Sequence, residues 1–343
     1  MSRLGLLRVA LPPIALPIAL LIASLIVFPI ALEPIAIRWI GTGSASFALA
    51  HVLIGKPGTT FPGHALAADA APAERAAFLA NQTVDCRGCD LAGANLDRRD
   101  LSGADLSGAN LAGASFRRTI LRGANLAGAN LAATSLKRRD LTGADLAGAN
   151  LEGASLHRAT LRGANLAGAN LTAANLNLAI LTSAALRQAN LRQALLFQVD
   201  ASGADFSGAR LGAALMGNAR LTQAKLDGAD LSLADLWEAR LTDASLRGAV
   251  LSDANLHAAS LLRADLSGVV AERANLTQAA LRGANLMGAV LRSADLFQAD
   301  LVEADLSGAD LGFARLSAAK LFNAKADDAK LQGATMPDNS VHP

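Results

Sequence analysis

The chain has 343 residues, of which 52% are hydrophobic and only 3% aromatic, and it contains no Tyr. An apolar content this high excludes a disordered chain, and so few aromatic side chains argue against ordinary globular domains of this size. With 31 basic and 29 acidic residues the net charge is +2, which does not indicate a nucleic-acid-binding protein.

The amino terminus carries an uncharged run from Val9 to Leu32, preceded by Arg3 and Arg8. As a helix this run would be about 36 Å long, which is enough to cross a bilayer. We therefore expect residues 1–40 to be a transmembrane anchor, with a cleaved signal peptide as the alternative. The flanking charges predict a cytoplasmic amino terminus, so the rest of the chain would be membrane-anchored or exported into the cell envelope or periplasm.

Two short segments separate this run from the rest of the chain. Residues 41–72 are rich in Gly, Pro, Thr and Ala and predict a linker. Residues 73–90 predict an amino-terminal cap that begins with a short helix, with Pro72 near its first turn. The cap also contains Cys86 and Cys89, which are interpreted as two small core residues, a possible disulfide, half of a metal site or a redox-active pair.

A leucine recurs at every fifth residue from Leu91 to Leu331 without one insertion or deletion, and Ala usually lies two residues before it. Of the 49 central positions 43 are Leu, so the period is not accidental. A period of five fits neither a helix nor a flat strand. It predicts a chain that turns a corner every five residues, with Leu and Ala inside. The frequent Gly two residues after the Leu suits a corner that requires positive φ.

Two consecutive units read Ala104-Asp105-Leu106-Ser107-Gly108 and Ala109-Asn110-Leu111-Ala112-Gly113. They resemble the pentapeptide repeat family, whose unit is Ala-(Asp/Asn)-Leu-x-x. The resemblance implies an all-β fold, a right-handed quadrilateral parallel β-helix with four repeats in each coil. Residues 91–336 would form about 12 coils of such a solenoid, because 48 steps of five make 12 groups of four. Residues 337–343 would be a tail.

When four repeats make one coil, side chains 20 apart lie above one another, and one wall becomes strongly basic. We call Arg98, Arg118, Arg138 and Arg158 the basic column. Like charges about 5 Å apart repel, so this wall is predicted either to be solvated or to bind anions, including an anionic membrane surface. The predicted anion- or partner-binding wall consists of Arg98, Arg99, Arg117, Arg118, Lys137, Arg138, Arg139 and Arg158, with His157 beside it.

Within that wall, Arg99 and Arg139 occupy positions where Ala is the rule. A guanidinium is costly to bury, so either the wall bulges at these points or both side chains turn outward.

Other columns predict structural or contact roles. Stacked amides are predicted to form a ladder along Asn110, Asn130, Asn150, Asn170 and Asn190. Apolar columns that could contact a partner or a second copy are Val250, Val270 and Val290, and also Leu195 and Leu215. The cations Arg315, Lys320, Lys325 and Lys330, one for each wall, would discourage end-to-end stacking of two rods or would dock an acidic partner.

No nucleophile, base and orienting group recur together, so we expect no catalytic site, cofactor or metal. The sequence predicts a non-enzymatic rigid scaffold that binds a protein partner of unknown identity. The resemblance offers one alternative, since some pentapeptide repeat proteins mimic duplex DNA and bind DNA gyrase. Such rods are strongly acidic and dimerise through a carboxyl-terminal helix, whereas this chain is near neutral and shows no such helix pattern.

Overall fold

The computed structural model describes residues 65–343. The predicted anchor in residues 1–40, and the linker up to residue 64, lie outside the described residues. Within residues 65–343 no helix has both the length and the apolar character needed to cross a membrane.

The only helix in the described part of the chain is α1, Ala65–Leu79. It begins inside the segment predicted to be a linker, so Pro72 lies within the helix and not near its first turn. The Ala-rich sequence explains the longer helix, because Ala has the highest helix propensity.

The carboxyl end of α1 closes the first coil of the solenoid. The helix ends in a Schellman motif with Asn81 at φ 59°: the Asn81 N–H donates to the Phe78 carbonyl (3.0 Å) and the Gln82 N–H to the Ala77 carbonyl (2.9 Å). Phe78, in the last turn, is fully buried. The end of the helix therefore covers the first coil and places an aromatic ring against the end of the solenoid core.

The repeats form a coil with four walls, one repeat to each wall. Parallel β-bridges join positions 20 apart without interruption from Asp90↔Asn110 to Arg315↔Thr335. Each wall contributes one isolated bridge for each coil, and the described residues contain no longer strand. We number the coils from Leu91, so that coil 1 is residues 91–110 and coil 12 is residues 311–330. Walls 1 to 4 are centred, in coil 1, on Leu91, Leu96, Leu101 and Leu106.

Leu and Ala line the inside of the rod, as the period predicted. Nearly all central and Ala positions are buried, including the larger Phe116, Phe206 and Met216. Two Ala positions hold buried threonines instead, and each hydroxyl donates to a carbonyl: Thr119 to Leu96 (2.7 Å) and Thr134 to Leu131 (2.6 Å). The interior is therefore apolar, and these two polar side chains within it are paired.

Each corner is a β-turn whose third residue is left-handed. In the first full example, the Ala109 N–H donates to the Leu106 carbonyl (3.1 Å) and Gly108 has φ 66°. Every equivalent residue from Gly88 to Gly333 has φ between 53° and 69°, which confirms the predicted corner. More than half of these residues are not Gly, and an L-residue is strained in this region.

The predicted tail, residues 337–343, turns back on the last repeat. Val341 forms an antiparallel bridge with Thr335, and the Gly333 N–H donates to the His342 carbonyl (2.9 Å). The tail therefore covers one wall of the carboxyl end.

The predicted amide ladder is confirmed. The Nδ2 atom of Asn130 donates to Oδ1 of Asn110 (3.1 Å), and the same contact repeats along the column at 3.3, 3.2 and 3.4 Å.

Candidate functional site

The basic column lies at the corner that follows wall 2 in coils 1 to 4. Its four arginines take the left-handed corner position, with φ of 61°, 60°, 57° and 57°, and all four are exposed. Arg117 and Lys137 are exposed beside them. Successive guanidinium groups are thus attached to backbone positions about 4.8 Å apart.

The cations of this corner lack ion-pair partners. On other walls an Arg pairs with an Asp directly below it, as in Arg263–Asp243 and Arg273–Asp253, both at 2.7 Å. Within residues 65–343, no salt bridge involves the basic column, Arg117, Lys137 or Arg139. The column therefore presents largely uncompensated positive charge to solvent.

The two nearby carboxylates are held by other groups. The Ser115 hydroxyl, together with the Arg117 N–H at 2.8 Å, lowers the pKa of Asp97. Burial acts against Asp140, but hydrogen bonds from the Thr142 hydroxyl and from Arg122 still lower its pKa. Asp97 offsets part of the charge on coil 2, whereas Asp140 is engaged by Arg122 on wall 3.

Arg99 belongs to the cap and not to the predicted binding wall. Its guanidinium carbon lies 4.0 Å from the centroid of the Phe78 ring, and Nη2 donates to the Thr83 carbonyl (3.3 Å). Burial lowers the pKa of the Arg99 guanidinium. Because coil 1 is the first coil, the side chain leaves the interior towards α1 and disturbs no neighbouring coil.

Wall 2 is split between coils 2 and 3. Between Leu91 and Thr335 the hydrogen bonds between coils repeat regularly, except for five consecutive ones that are absent. The intact bonds on either side are Leu111 N–H to Asn130 O (2.8 Å) and Leu121 N–H to Asp140 O (3.0 Å). The N–H groups whose contact with the next coil falls outside normal hydrogen-bond geometry are those of Gly113, Phe116, Arg118, Ser135 and Asp140, although the bridges Ser115↔Ser135 and Ile120↔Asp140 remain. The β-bridges keep the same register through these positions, so the two coils are separated along wall 2 but are not shifted relative to each other.

Arg139 occupies the gap. Its Nε donates to the Lys137 carbonyl at 3.0 Å, the same carbonyl that would otherwise accept from the Arg118 N–H. The inward Ala position of a middle coil has no room for a guanidinium, so the side chain leaves through the wall. At Arg139 the wall bulges and the side chain also turns outward, so both alternatives expected from the sequence occur.

Equivalent positions elsewhere show which residue parts the wall. Phe206 takes a central position as Phe116 does, yet the Phe206 N–H bonds Lys225 O at 2.7 Å. Val199 and Val269 are as bulky as Thr119 and Thr134 at Ala positions, yet their carbonyls accept normal ladder bonds at 2.8 Å. Arg139 is therefore the residue that parts wall 2.

The split opens a surface cleft of about 470 Å³. Its lining includes the cations Arg117, Lys137 and Arg139, the hydroxyl-bearing Ser115 and Ser135, and no carboxylate. The Nη groups of Arg139 have no hydrogen-bond partner among the described residues. Sequence reasoning placed these cations on one wall but did not find the cleft, because an interior Arg alone does not show on which side it leaves.

An apolar patch follows the basic column along wall 2. Leu195 and Leu215 stack on each other, Leu215 is 47% exposed, and the ring centroids of Phe197 and Trp237 are 6.3 Å apart. Trp237 reaches Phe197 across Gly217, where an added Cβ would lie 2.2 Å from the indole nitrogen. We call Leu195, Phe197, Leu215 and Trp237 the apolar patch. Sequence reasoning found its leucines but missed its aromatic pair.

The structure joins Cys86 and Cys89 in a disulfide. Both side chains are at most 2% exposed and belong to the core at the start of the solenoid, so the core and disulfide interpretations apply together. No group of His, Cys, Asp or Glu within residues 65–343 is arranged to hold a metal ion.

The four end-capping cations stand on acidic residues of coil 11. Bridges place Arg315, Lys320, Lys325 and Lys330 directly above Asp295, Asp300, Asp305 and Asp310. Arg315 contacts Asp295 at 2.9 Å and Lys325 contacts Asp305 at 3.8 Å. The acidic residues of coil 11 therefore neutralise part of the charge of the four end-capping cations.

The remaining predicted contact column is formed but stays untested as an interface. Val250, Val270 and Val290 are joined by bridges and are half-buried. Asp230 and Asp310 end the column at either side.

Comparison with known proteins agrees with this architecture. The family model described as pentapeptide repeats matches the chain in 8 copies between residues 84 and 336. HetL, a pentapeptide repeat protein involved in heterocyst differentiation regulation from the cyanobacterium Nostoc sp. strain PCC 7120, is 35% identical, with a TM-score of 0.32 over 79% of this chain and 98% of HetL. Rfr23 from the cyanobacterium Cyanothece 51142 is 32% identical over 25% of this chain and 58% of its own, with a TM-score of 0.25.

The plasmid-mediated fluoroquinolone resistance protein QnrB1 is 20% identical, with a TM-score of 0.31 over 63% of this chain and 90% of QnrB1. The search of curated proteins gave no match. The family match confirms the resemblance seen in the repeats and implies a right-handed β-helix.

Proposed function

The chain belongs to the pentapeptide repeat family, and on that premise we propose that it is a non-enzymatic, rigid scaffold that binds a partner protein through wall 2. The observation that carries this proposal is the uncompensated basic column in coils 1 to 4. A stack of like charges costs stability, and an acidic partner would remove that cost on binding.

The apolar patch favours a protein over a lipid or nucleic-acid surface. It begins on coil 6 of the same wall, beyond the basic column, and combines exposed Leu215 with the aromatic pair of Phe197 and Trp237. Aromatic residues of this kind often supply the energy at protein interfaces, whereas charges set the approach and register. The partner we propose therefore has an acidic stretch followed by an apolar one.

Binding to this wall is tested by paired charge reversals in the full chain. Arg138→Glu with Arg158→Glu removes two stacked cations of the basic column and leaves the cleft residues in place. The matched control is Arg220→Glu with Arg240→Glu, which reverses two exposed stacked cations on wall 3.

We expect wild type and the control pair to retain a protein from cell-envelope extract, and the column pair and Trp237→Ala to lose it. Added salt should release it from wild type. Equal retention by all variants would exclude wall 2 as the docking surface. Binding of wild type to anionic vesicles without a protein partner would favour a membrane instead.

We also propose that the scaffold is held at or beyond a membrane, because residues 9–32 have the length and composition of a spanning helix. Fractionation of cells followed by alkaline extraction tests this, since an anchored chain stays with the membrane. Recovery in the cytoplasmic fraction would rule out the location without affecting the choice of wall 2.

A further inference from the structure

We propose that the cleft in wall 2, between coils 2 and 3, binds a phosphate-type oxyanion, with Arg139 serving both to open the wall and to hold the anion. This inference goes beyond the scaffold function, because it concerns a small-anion site and not the docking of a protein. The inference depends on the weakened hydrogen bonds between coils 2 and 3, on the residues that line the cleft, and on cations that form no salt bridge among the described residues.

The split weakens main-chain hydrogen bonds between two coils in the middle of the ladder. At the equivalent ladder positions elsewhere between Leu91 and Thr335, the N–H groups bond the neighbouring coil. Here five N–H groups lack a normal hydrogen bond to the next coil, and three of them, those of Gly113, Phe116 and Ser135, belong to residues that line the cleft. Freed carbonyls lie opposite them, and Arg139 already occupies the carbonyl of Lys137. Main-chain N–H groups that lack a strong acceptor are suitable donors to an anion.

The side chains make the cleft selective for an anion. Arg117, Lys137 and Arg139 converge on it, none of them is in a salt bridge, and no carboxylate is in the lining. Asp97 and Asp140, which lie beside the cleft residues, already accept hydrogen bonds from Ser115 and Arg122 respectively. An anion is therefore the missing counter-charge of this cleft.

The donor set matches phosphate better than carboxylate. A phosphomonoester carries close to two negative charges and three terminal oxygens, whereas a carboxylate has one charge and two oxygens. Arg139 retains both Nη groups for a bidentate contact, and Lys137 supplies a compact ammonium. Ser135, which is exposed at the cleft, adds a hydroxyl donor.

Calorimetric titration of the full chain with inorganic phosphate tests the proposal. We expect saturable binding to wild type, weakened about tenfold or more both in Arg139→Ala and in Lys137→Gln, since each removes a charge-assisted contact. Arg139→Ala restores the usual residue and should fold, and Lys137→Gln leaves the wall parted. Arg162→Ala, which removes an exposed, unpaired cation on the next wall, should bind as wild type.

Hydrogen exchange gives an independent measurement. Phosphate should slow exchange of the Phe116, Arg118 and Ser135 amides in wild type, and chloride at equal ionic strength should not. The site is refuted if phosphate does not bind saturably, or binds wild type and Arg139→Ala equally, and the vesicle experiment described next also shows no Arg139-dependent binding.

That arm distinguishes a free phosphate from a lipid headgroup. Vesicles containing phosphatidic acid present a phosphomonoester, and vesicles containing phosphatidylserine at equal charge do not. Arg139-dependent binding to the first kind alone assigns the site to a lipid headgroup, and failure of both arms refutes it. Arg138→Glu with Arg158→Glu leaves the cleft intact, so loss of partner capture and loss of phosphate binding can be told apart.

Discussion

Two arginines, Arg99 and Arg139, occupy interior Ala positions just past the corner between walls 2 and 3, and their replacement by Ala is expected to change stability in opposite directions. Arg139→Ala should let coils 2 and 3 close and restore normal geometry to the five weakened hydrogen bonds. A net gain of about 0.5 kcal/mol for each bond, the low end because the freed groups are hydrated in the cleft, gives about 2 kcal/mol after the lost Arg139–Lys137 bond is subtracted. Arg99→Ala removes the guanidinium from the Phe78 ring and a hydrogen bond to Thr83, which costs about 2 kcal/mol.

Thermal unfolding and amide exchange measure the two effects separately. With about 2.1 cal/mol/K of unfolding entropy for each of about 280 folded residues, about 2 kcal/mol corresponds to a shift in Tm of roughly 3 °C, upwards for Arg139→Ala and downwards for Arg99→Ala. In wild type the amides of Phe116, Arg118 and Ser135 should exchange faster than their neighbours on wall 2. In Arg139→Ala their exchange should slow by on the order of 30-fold.

The reasoning would be refuted if Arg139→Ala left those amides unprotected. The wall would then be held open by Phe116 or Thr134, despite the normal ladder at Phe206, Val199 and Val269. A decrease in Tm for Arg139→Ala would likewise mean that packing of the aliphatic stem outweighs the missing hydrogen bonds.

Three further changes test the corners, the apolar patch and the turn carboxylates. Leu233→Gly should stabilise by about 0.5 kcal/mol in thermal or urea unfolding, because Leu233 is 64% exposed at φ 60° and Gly relieves that strain at some entropic cost; a loss of stability would show that its side chain packs usefully. Gly217→Ala should displace Trp237 from Phe197 and change the tryptophan fluorescence with little change in Tm, and an unchanged spectrum would contradict the stacked arrangement. The pKa of Asp105 is lowered to about 2 by the Ser107 hydroxyl and then by Arg87, below its ordinary 3.8. A depressed pKa contributes stability above pH 4 that is lost as the pH falls towards 2, so Tm should fall over that window, and less steeply in Asp105→Asn.

The five-residue frame allowed the walls, the interior and the corners to be predicted, because each follows from a short unit repeated without interruption. Leu106 and its equivalents must be inside once the chain turns every five residues, and the left-handed residue must follow two positions later. The helix start was not predictable in this way. Ala65–Leu79 passes through Pro72, and the preference of the alanines outweighed the proline that was expected to mark the first turn.

The fates of Arg99 and Arg139 could not be told apart from the repeat alone. Both break the same rule at the same corner between walls 2 and 3, but one lies in the first coil and the other two coils further on. What differs is the neighbour towards α1: a cap with an aromatic ring for Arg99, and another coil for Arg139. The repeat does not specify that neighbour, which is known only from the tertiary structure. The neighbour decides whether the guanidinium stabilises the amino-terminal cap or separates two coils.

Some features that were not predicted can be recognised in the sequence when residues that are one coil, or 20 positions, apart are compared. Phe197, Gly217 and Trp237 are each one coil apart, and a glycine between two aromatic residues in one column leaves room for the rings to meet across it. In the same way Asp295 and Arg315 are one coil apart, so the acidic stretch of coil 11 and the cations of coil 12 form pairs.

That pairing changes the interpretation of the carboxyl end. Cations that merely deterred stacking would need to keep their charge free, yet Arg315 and Lys325 lie over Asp295 and Asp305 within 4 Å. In the basic column no such acid lies below any arginine within the described residues. Charge is thus compensated in part at the end of the rod and left uncompensated in the basic column, as it also is in the shorter stack of Arg220 and Arg240 on wall 3. The contact with an anionic partner that we propose for wall 2 would neutralise the basic column and so account for the absence of acids below it.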